Sequence, residues 1–199
     1  MNHIADGPVS AAPPALSHPP EWLDLPGGFA LRRRTGADAG EMNSVIARNI
    51  EHLRPWMPWA ASAPSLAHTS EMIRLGSQLW EQATDFLYVL VSAERPGEIL
   101  GMFGLHRRIG PGGIEIGYWI DQAHTGRSLA THGAAALTEA ALRFPEVERV
   151  EIHCDEANAA SATVPRKLGY RLDRITEQPA VAPAETGRKL IWIQRRAAD

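Results

Sequence analysis

From residue 29 onward the hydrophobic positions fall into two alternating kinds of pattern. Short apolar runs mark strands, and apolar residues three and four apart mark amphipathic helices. Residues 29–34 read as a short strand. Met42, Val45, Ile46, Asn49, Ile50 and Leu53 line one side of a helix over 38–53. Pro55 and Pro58 stop that helix, because proline has no N–H for the ladder. A second helix over 66–82 carries Met72, Ile73, Leu75, Leu79 and Trp80. Residues 86–92, 98–106 and 114–120 are apolar strands. A turn at 93–97 and a glycine-rich loop at 110–113 join them, as in antiparallel hairpins. An alanine-rich helix over 128–143 follows, with the best helix propensity in the chain. After it come a strand at 149–155, a short helix at 158–168, a strand at 170–175, a loop at 180–187 and a last strand at 188–194.

The order is β-α-α-β-β-β-α-β-α-β-β. The connection between 114–120 and 149–155 is long enough to hold a helix, so those two strands should lie parallel. The expected fold class is α/β (α+β), with a mixed, mostly antiparallel sheet and flanking helices. Residues 1–28, rich in Pro and Ala, read as a mobile N-terminal arm with order only near Trp22 and Leu25, and residues 29–196 as one domain.

Composition narrows the function. The chain has 199 residues and a net charge of −3, which argues against a general nucleic-acid coat protein. A single cysteine excludes an internal disulfide framework and any multi-cysteine zinc site. No histidine sits at a metal-ligand spacing from another, so no metal is expected. No apolar run approaches the ~20 residues of a membrane helix, and no secretory signal is legible. A cytoplasmic enzyme without membrane or nucleic-acid partners is expected. Arg32, Arg33 and Arg34 form a charge run that reads as a solvated strand edge. Cys154, between His153 and Asp155, reads as a buried small hydrophobe.

His124 to Ala130 lead from a strand into a helix, and Gly126, Ser128 and Ala130 are small. Unpartnered first-turn amides and the helix dipole make such a place an anion site. The plainer alternative is a helix start capped by Thr125 or Ser128. The Walker and dinucleotide-binding glycine patterns are absent. Gly126-Arg127-Ser128-Leu129-Ala130 partly matches a nucleophile elbow, which would make Ser128 a hydrolase nucleophile. Seven residues separate Ile120 from Ser128, though, and no histidine follows His153.

Gly113 to Asp121, followed by His124 to Ala130 and a helix, resembles the GNAT acyl-CoA-dependent N-acyltransferase superfamily. Asn158-Ala159-Ala160-Ser161 with Lys167-Leu168-Gly169-Tyr170 resembles its next motif. Asn49 to Trp59 resembles the RimJ/RimL-type branch. The resemblance implies that strands 114–120 and 149–155 splay and hold the pantetheine arm of acetyl-CoA along Tyr118, Trp119 and Ile120. It also implies that the amides of Gly126, Arg127, Ser128, Leu129 and Ala130 receive the pyrophosphate, that His124 and Thr125 belong to the same coenzyme site, and that Asn158 contacts the coenzyme. The sequence departs from the family pattern at Thr125, where Gln or Arg is usual, and at Ser128, where Gly is usual. A serine fits there only if the position avoids positive φ.

For chemistry, Glu115 is the expected base, since a carboxylate between Ile114 and Ile116 is costly unless paired or at a cleft. By the resemblance, Ser161 protonates the departing thiolate, because the family's tyrosine position holds Pro165. Trp56 and Trp59 would wall the groove of a primary-amine acceptor. The expected partners are acetyl-CoA and that amine, with a homodimer as a plausible assembly. The rival from another class is a non-catalytic acyl-CoA-binding module.

Overall fold

The computed structural model describes residues 18–197, so residues 1–17 of the expected arm lie outside it. The strands are β1 (Trp22–Leu25), β2 (Phe29–Arg33), β3 (Asp85–Ser92), β4 (Arg95–His106), β5 (Gly113–Ile120), β6 (Arg149–Asp155), β7 (Arg171–Glu177) and β8 (Arg188–Arg195). The helices are α1 (Ala39–Arg48), α2 (Ile50–Leu53), α3 (Leu66–Glu81), α4 (Leu129–Leu142) and α5 (Ala159–Lys167). One eight-stranded sheet runs β1-β2-β3-β4-β5-β6-β8-β7, antiparallel except for β5 against β6.

Three local expectations are corrected. The ordered fold starts before residue 29, because Gly27 and Gly28 turn at φ 82° and 77° and let β1 pair with β2. The helix expected over 38–53 breaks at Asn49, whose side chain is engaged elsewhere. The arginine run is not a solvated edge. β1 covers β2, Arg32 pairs with buried Asp38, and Arg34 is itself buried. Helix α5 is short, nine residues with Pro165 inside, as a proline there requires.

Strand alternation gives the sheet two faces. One packs Phe103, Leu105, Ile114, Ile116 and Ile152 against α4. The other packs Val89, Val91, Met102 and Trp119 against α1 and α3. Buried aliphatic and aromatic side chains on both faces supply the main folding drive, at about 25 cal/mol per Å² of apolar area removed from water.

The feature that positions the site is a fork. β5 and β6 pair only through Gly113–Arg149, Ile114–Val150 and Glu115–Glu151. Both strands then continue, to Ile120 and Asp155, without pairing. Each is held open by its outer neighbour, since β4 pairs with β5 as far as Ile120 and β8 pairs with β6 as far as Asp155.

Candidate active site

At the open end, β5 leads through a tight turn into α4. Gly126 has φ 75° and Ser128 has φ 59°. The serine therefore occupies the left-handed region, against the expectation from its side chain. Neither expected cap forms. Ser128 makes no side-chain cap bond, and Thr125 Oγ1 donates backwards to the Gln122 carbonyl at 2.9 Å. Among the described residues, the amides of Gly126 to Ala130 find no acceptor. These amides converge with the positive end of the α4 dipole in an exposed cradle. They fit a diphosphate, and Arg127 adds a charge beside them. His124 sits at the edge of this turn, its Nδ1 3.6 Å from Asp121 Oδ2.

A cavity of about 730 Å³ opens at the fork. On the α1/α3 face, register places four ionisable side chains side by side: Asp85, His106, Glu115 and Glu151, on β3 to β6. Glu115 is 8% exposed and lines the cavity. Its carboxylate accepts from Arg108 Nε at 2.8 Å and Nη2 at 2.7 Å. His153 Nδ1 lies 3.8 Å away, while its Nε2 is 2.6 Å from Glu151. Burial alone would push the Glu115 pKa up. The hydrogen bonds from Arg108 and the charges of His153, Arg108 and His106 outweigh it and hold the group ionised below the usual glutamate range.

On the other side of the fork, Tyr118 Oη donates to the Ser161 carbonyl at 3.2 Å and lies 3.3 Å from Ser161 Oγ. Burial pushes the Tyr118 phenol up, so it stays protonated. Asn158 caps α5, its Oδ1 accepting from the Ser161 amide at 3.0 Å, and so fixes where Ser161 points. Cys154 is buried beside them, and burial raises its thiol. The fork is therefore lined by a carboxylate on one face and a hydroxyl pair on the other, with the uncovered edge of Tyr118, Trp119 and Ile120 between them.

Trp56 and Trp59 stand on the wall of the same cavity, Trp59 being 46% exposed. Leu53, Met57 and Ala60 pack beneath them against α1. Sequence reasoning missed three contributors. Arg108 and His153 hold Glu115, the first from the loop between β4 and β5 and the second from β6. The Tyr118 hydroxyl reaches Ser161, whereas only the Tyr118 backbone was expected to matter. Ser128 Oγ makes no hydrogen bond among the described residues, so no base activates it and the hydrolase alternative loses its nucleophile.

Comparison with known proteins agrees with this geometry. Residues 29–171 match the acetyltransferase (GNAT) domain family. The chain is 28% identical over 149 residues to a putative ribosomal N-acetyltransferase, YdaF, of Bacillus subtilis (strain 168), covering 71% of this chain and 77% of that one. It is 24% identical over 136 residues to a ribosomal-protein-serine acetyltransferase of Escherichia coli (strain K12), covering 67% and 74%. In fold it is similar to a RimL ribosomal alpha-N-protein acetyltransferase in complex with coenzyme A, with a TM-score of 0.81 at 19% identity over 90% of this chain and 100% of that one. It is also similar to a microcin self-immunity acetyltransferase, MccE, in complex with acetyl-CoA and AMP, with a TM-score of 0.80 at 15% identity over 92% and 99%. The chain belongs to the GNAT acetyltransferase family, and it is an acyl-CoA-dependent N-acetyltransferase.

Proposed function

We propose that this GNAT-family enzyme acetylates the α-amine at a protein N-terminus, and that it works in the cytoplasm on a ribosomal protein. The observation that carries the reading is the fork, paired for three residues and then open, with a cradle of unpartnered amides at its mouth. The names of the relatives favour a ribosomal acceptor.

In this reading the amides of Gly126–Ala130 hold the diphosphate, and Tyr118, Trp119 and Ile120 offer backbone to the pantetheine arm. Trp56 and Trp59 flank the incoming amine. The neutral amine attacks the thioester carbonyl carbon and the C–S bond breaks. Glu115 takes the proton from nitrogen through a water, and the hydroxyl pair of Ser161 and Tyr118 returns a proton to the thiolate. An α-amine, with a pKa of about 7.7–8.0, is roughly one-tenth neutral at pH 7, whereas lysine is neutral in only about one molecule in two thousand. A weak, fully ionised base such as Glu115 therefore suits an α-amine far better than a lysine side chain.

The test is thiol release from acetyl-CoA against peptides with a free α-amine, a blocked α-amine plus lysine, or both. Mass spectrometry should place the acetyl group on the α-nitrogen. Glu115→Gln should lower kcat by about 10²–10⁴-fold, most severely at lower pH. Identical pH profiles for the two proteins would remove Glu115 as the base. Ser161→Ala should lower kcat while acetyl-CoA affinity stays nearly unchanged. A large loss of coenzyme affinity would make Ser161 architectural instead.

A further inference from the structure

Arg34 is the residue of the charge run that the catalytic reading leaves without a role. It is 6% exposed and lines the same cavity as Glu115. Met42 and Met72 touch it, and the apolar Ile46 and Leu79 line the same cavity. A guanidinium has five N–H donors. Here Nη2 donates to the Met72 carbonyl at 3.0 Å, and Nη1 approaches Met42 Sδ at 3.9 Å. Among the described residues, no carboxylate forms a salt bridge with it. The nearby Asp38 is committed elsewhere, to Arg32 at 2.9 and 2.5 Å and to the Thr35 amide at 2.7 Å. Burial lowers the Arg34 pKa to about 10, against a smaller opposing pull from Asp38, so the side chain stays charged at neutral pH.

The fold makes room for this cation. Gly76 lies inside α3, where glycine is unfavourable by roughly 1 kcal/mol relative to alanine. A Cβ at Gly76 would sit 2.1 Å from Arg34 Nη2 and 2.8 Å from Leu87 Cδ1. A buried charge without a counter-ion costs several kcal/mol unless something pairs with it. An apolar lining also strengthens any ion pair formed there.

We propose that Arg34 is an acceptor-specificity residue that pairs with a carboxylate side chain near the N-terminus of the acceptor peptide. The inference rests on the N-terminal reading above and adds to it the acceptor's charge. The sheet supplies the ruler. The Arg34 amide donates to the Leu87 carbonyl at 3.0 Å, Leu87 faces Gly104, and Gly104 faces Gly117 on β5. Three strand spacings are about 14 Å, or about four residues of extended chain. The acid therefore belongs about three to five residues in from the reacting amine. The glycines at 104 and 117 leave this path low. The His106 ring stands over both, its Nε2 2.5 Å and 3.3 Å from where their Cβ atoms would be, and Leu87 Cδ2 lies 3.0 Å from that of Gly104.

The experiment measures kcat/KM of the full chain for peptides that differ only in Glu against Gln at each of positions two to six. Wild type should prefer the acidic peptide by about tenfold or more, peaking at one position, since a hydrogen bond to a charged group contributes about 1.5–3 kcal/mol. Arg34→Met should abolish that preference while neutral peptides change little. Arg34→Lys should keep part of it. A purely structural clip between β2 and α3 would instead lower both peptides alike in Arg34→Met and leave no preference in wild type. Equal wild-type rates on acidic and neutral peptides overturn the inference without any variant, and the N-terminal reading survives that result. Acetylation of lysine side chains with no α-product would defeat the N-terminal reading, and this inference with it.

Discussion

Ser128 stands at φ 59°, and a side chain in the left-handed region costs about 1 kcal/mol or more. Its hydroxyl recovers nothing, because it caps no amide of α4. Ser128→Gly should therefore raise unfolding stability by about 1 kcal/mol, read by denaturant titration, while coenzyme affinity is kept or tightened. Destabilisation by glycine would mean that the serine makes a compensating contact in solution. The identity of this residue was legible in the sequence, along with its departure from the family pattern. Its φ was not, because the turn is set by where β5 and α4 must meet. Glu115 was legible for the same reason that it is costly, a lone carboxylate in an apolar strand. Its partner Arg108 comes from the loop between β4 and β5 and His153 from β6, and neither pairing is announced by the local pattern. Arg34 was misread because its burial comes from α1 and α3, which bring Met42 and the Met72 carbonyl over it from distant parts of the chain.

At the scale of elements, the break between α1 and α2 ties the helical layer to the cradle. Asn49 is 1% exposed and nearly saturated. Its Nδ2 donates to the Val45 carbonyl at 2.8 Å and to Asp121 Oδ1 at 3.0 Å, and its Oδ1 accepts from the Gln122 amide at 2.8 Å. Arg48 adds a bond to Asp121 Oδ2 at 2.9 Å. Burial would raise the Asp121 pKa, but the hydrogen bonds from Asn49, Arg48 and the Ala123 amide outweigh it and hold the group below its ordinary value. A depressed carboxylate stabilises the fold above its unfolded pKa of about 3.9, and that contribution is lost as pH falls through the lower folded value. Asn49→Ala should cost about 1–3 kcal/mol at pH 7 and weaken acetyl-CoA binding, with the stability gap narrowing below about pH 4. An unchanged coenzyme affinity would show that the turn holds its shape without this anchor. The helical period across 38–53 was readable, but the break was not. Asn49 has the right spacing for the apolar side, and only the remote Asp121 and Gln122 pull it out of the ladder.

At the scale of the whole molecule, the hairpin and the parallel pair were legible from loop and crossover lengths, whereas β1 and the place of β8 between β6 and β7 were not. The splay was not. It arises because β4 and β8 draw β5 and β6 apart after Glu115 and Glu151, a competition among four strands that no single segment encodes. The same splay lets a carboxylate from one face and a hydroxyl pair from the other address one reaction centre. The most direct test is a crystal structure of the protein grown with acetyl-CoA. The account predicts the diphosphate on the amides of Gly126 to Ala130, and the pantetheine arm lying between β5 and β6 with its sulfur near Ser161. Coenzyme bound away from the fork, or β5 and β6 zipped together beyond Glu115 in that complex, would contradict it.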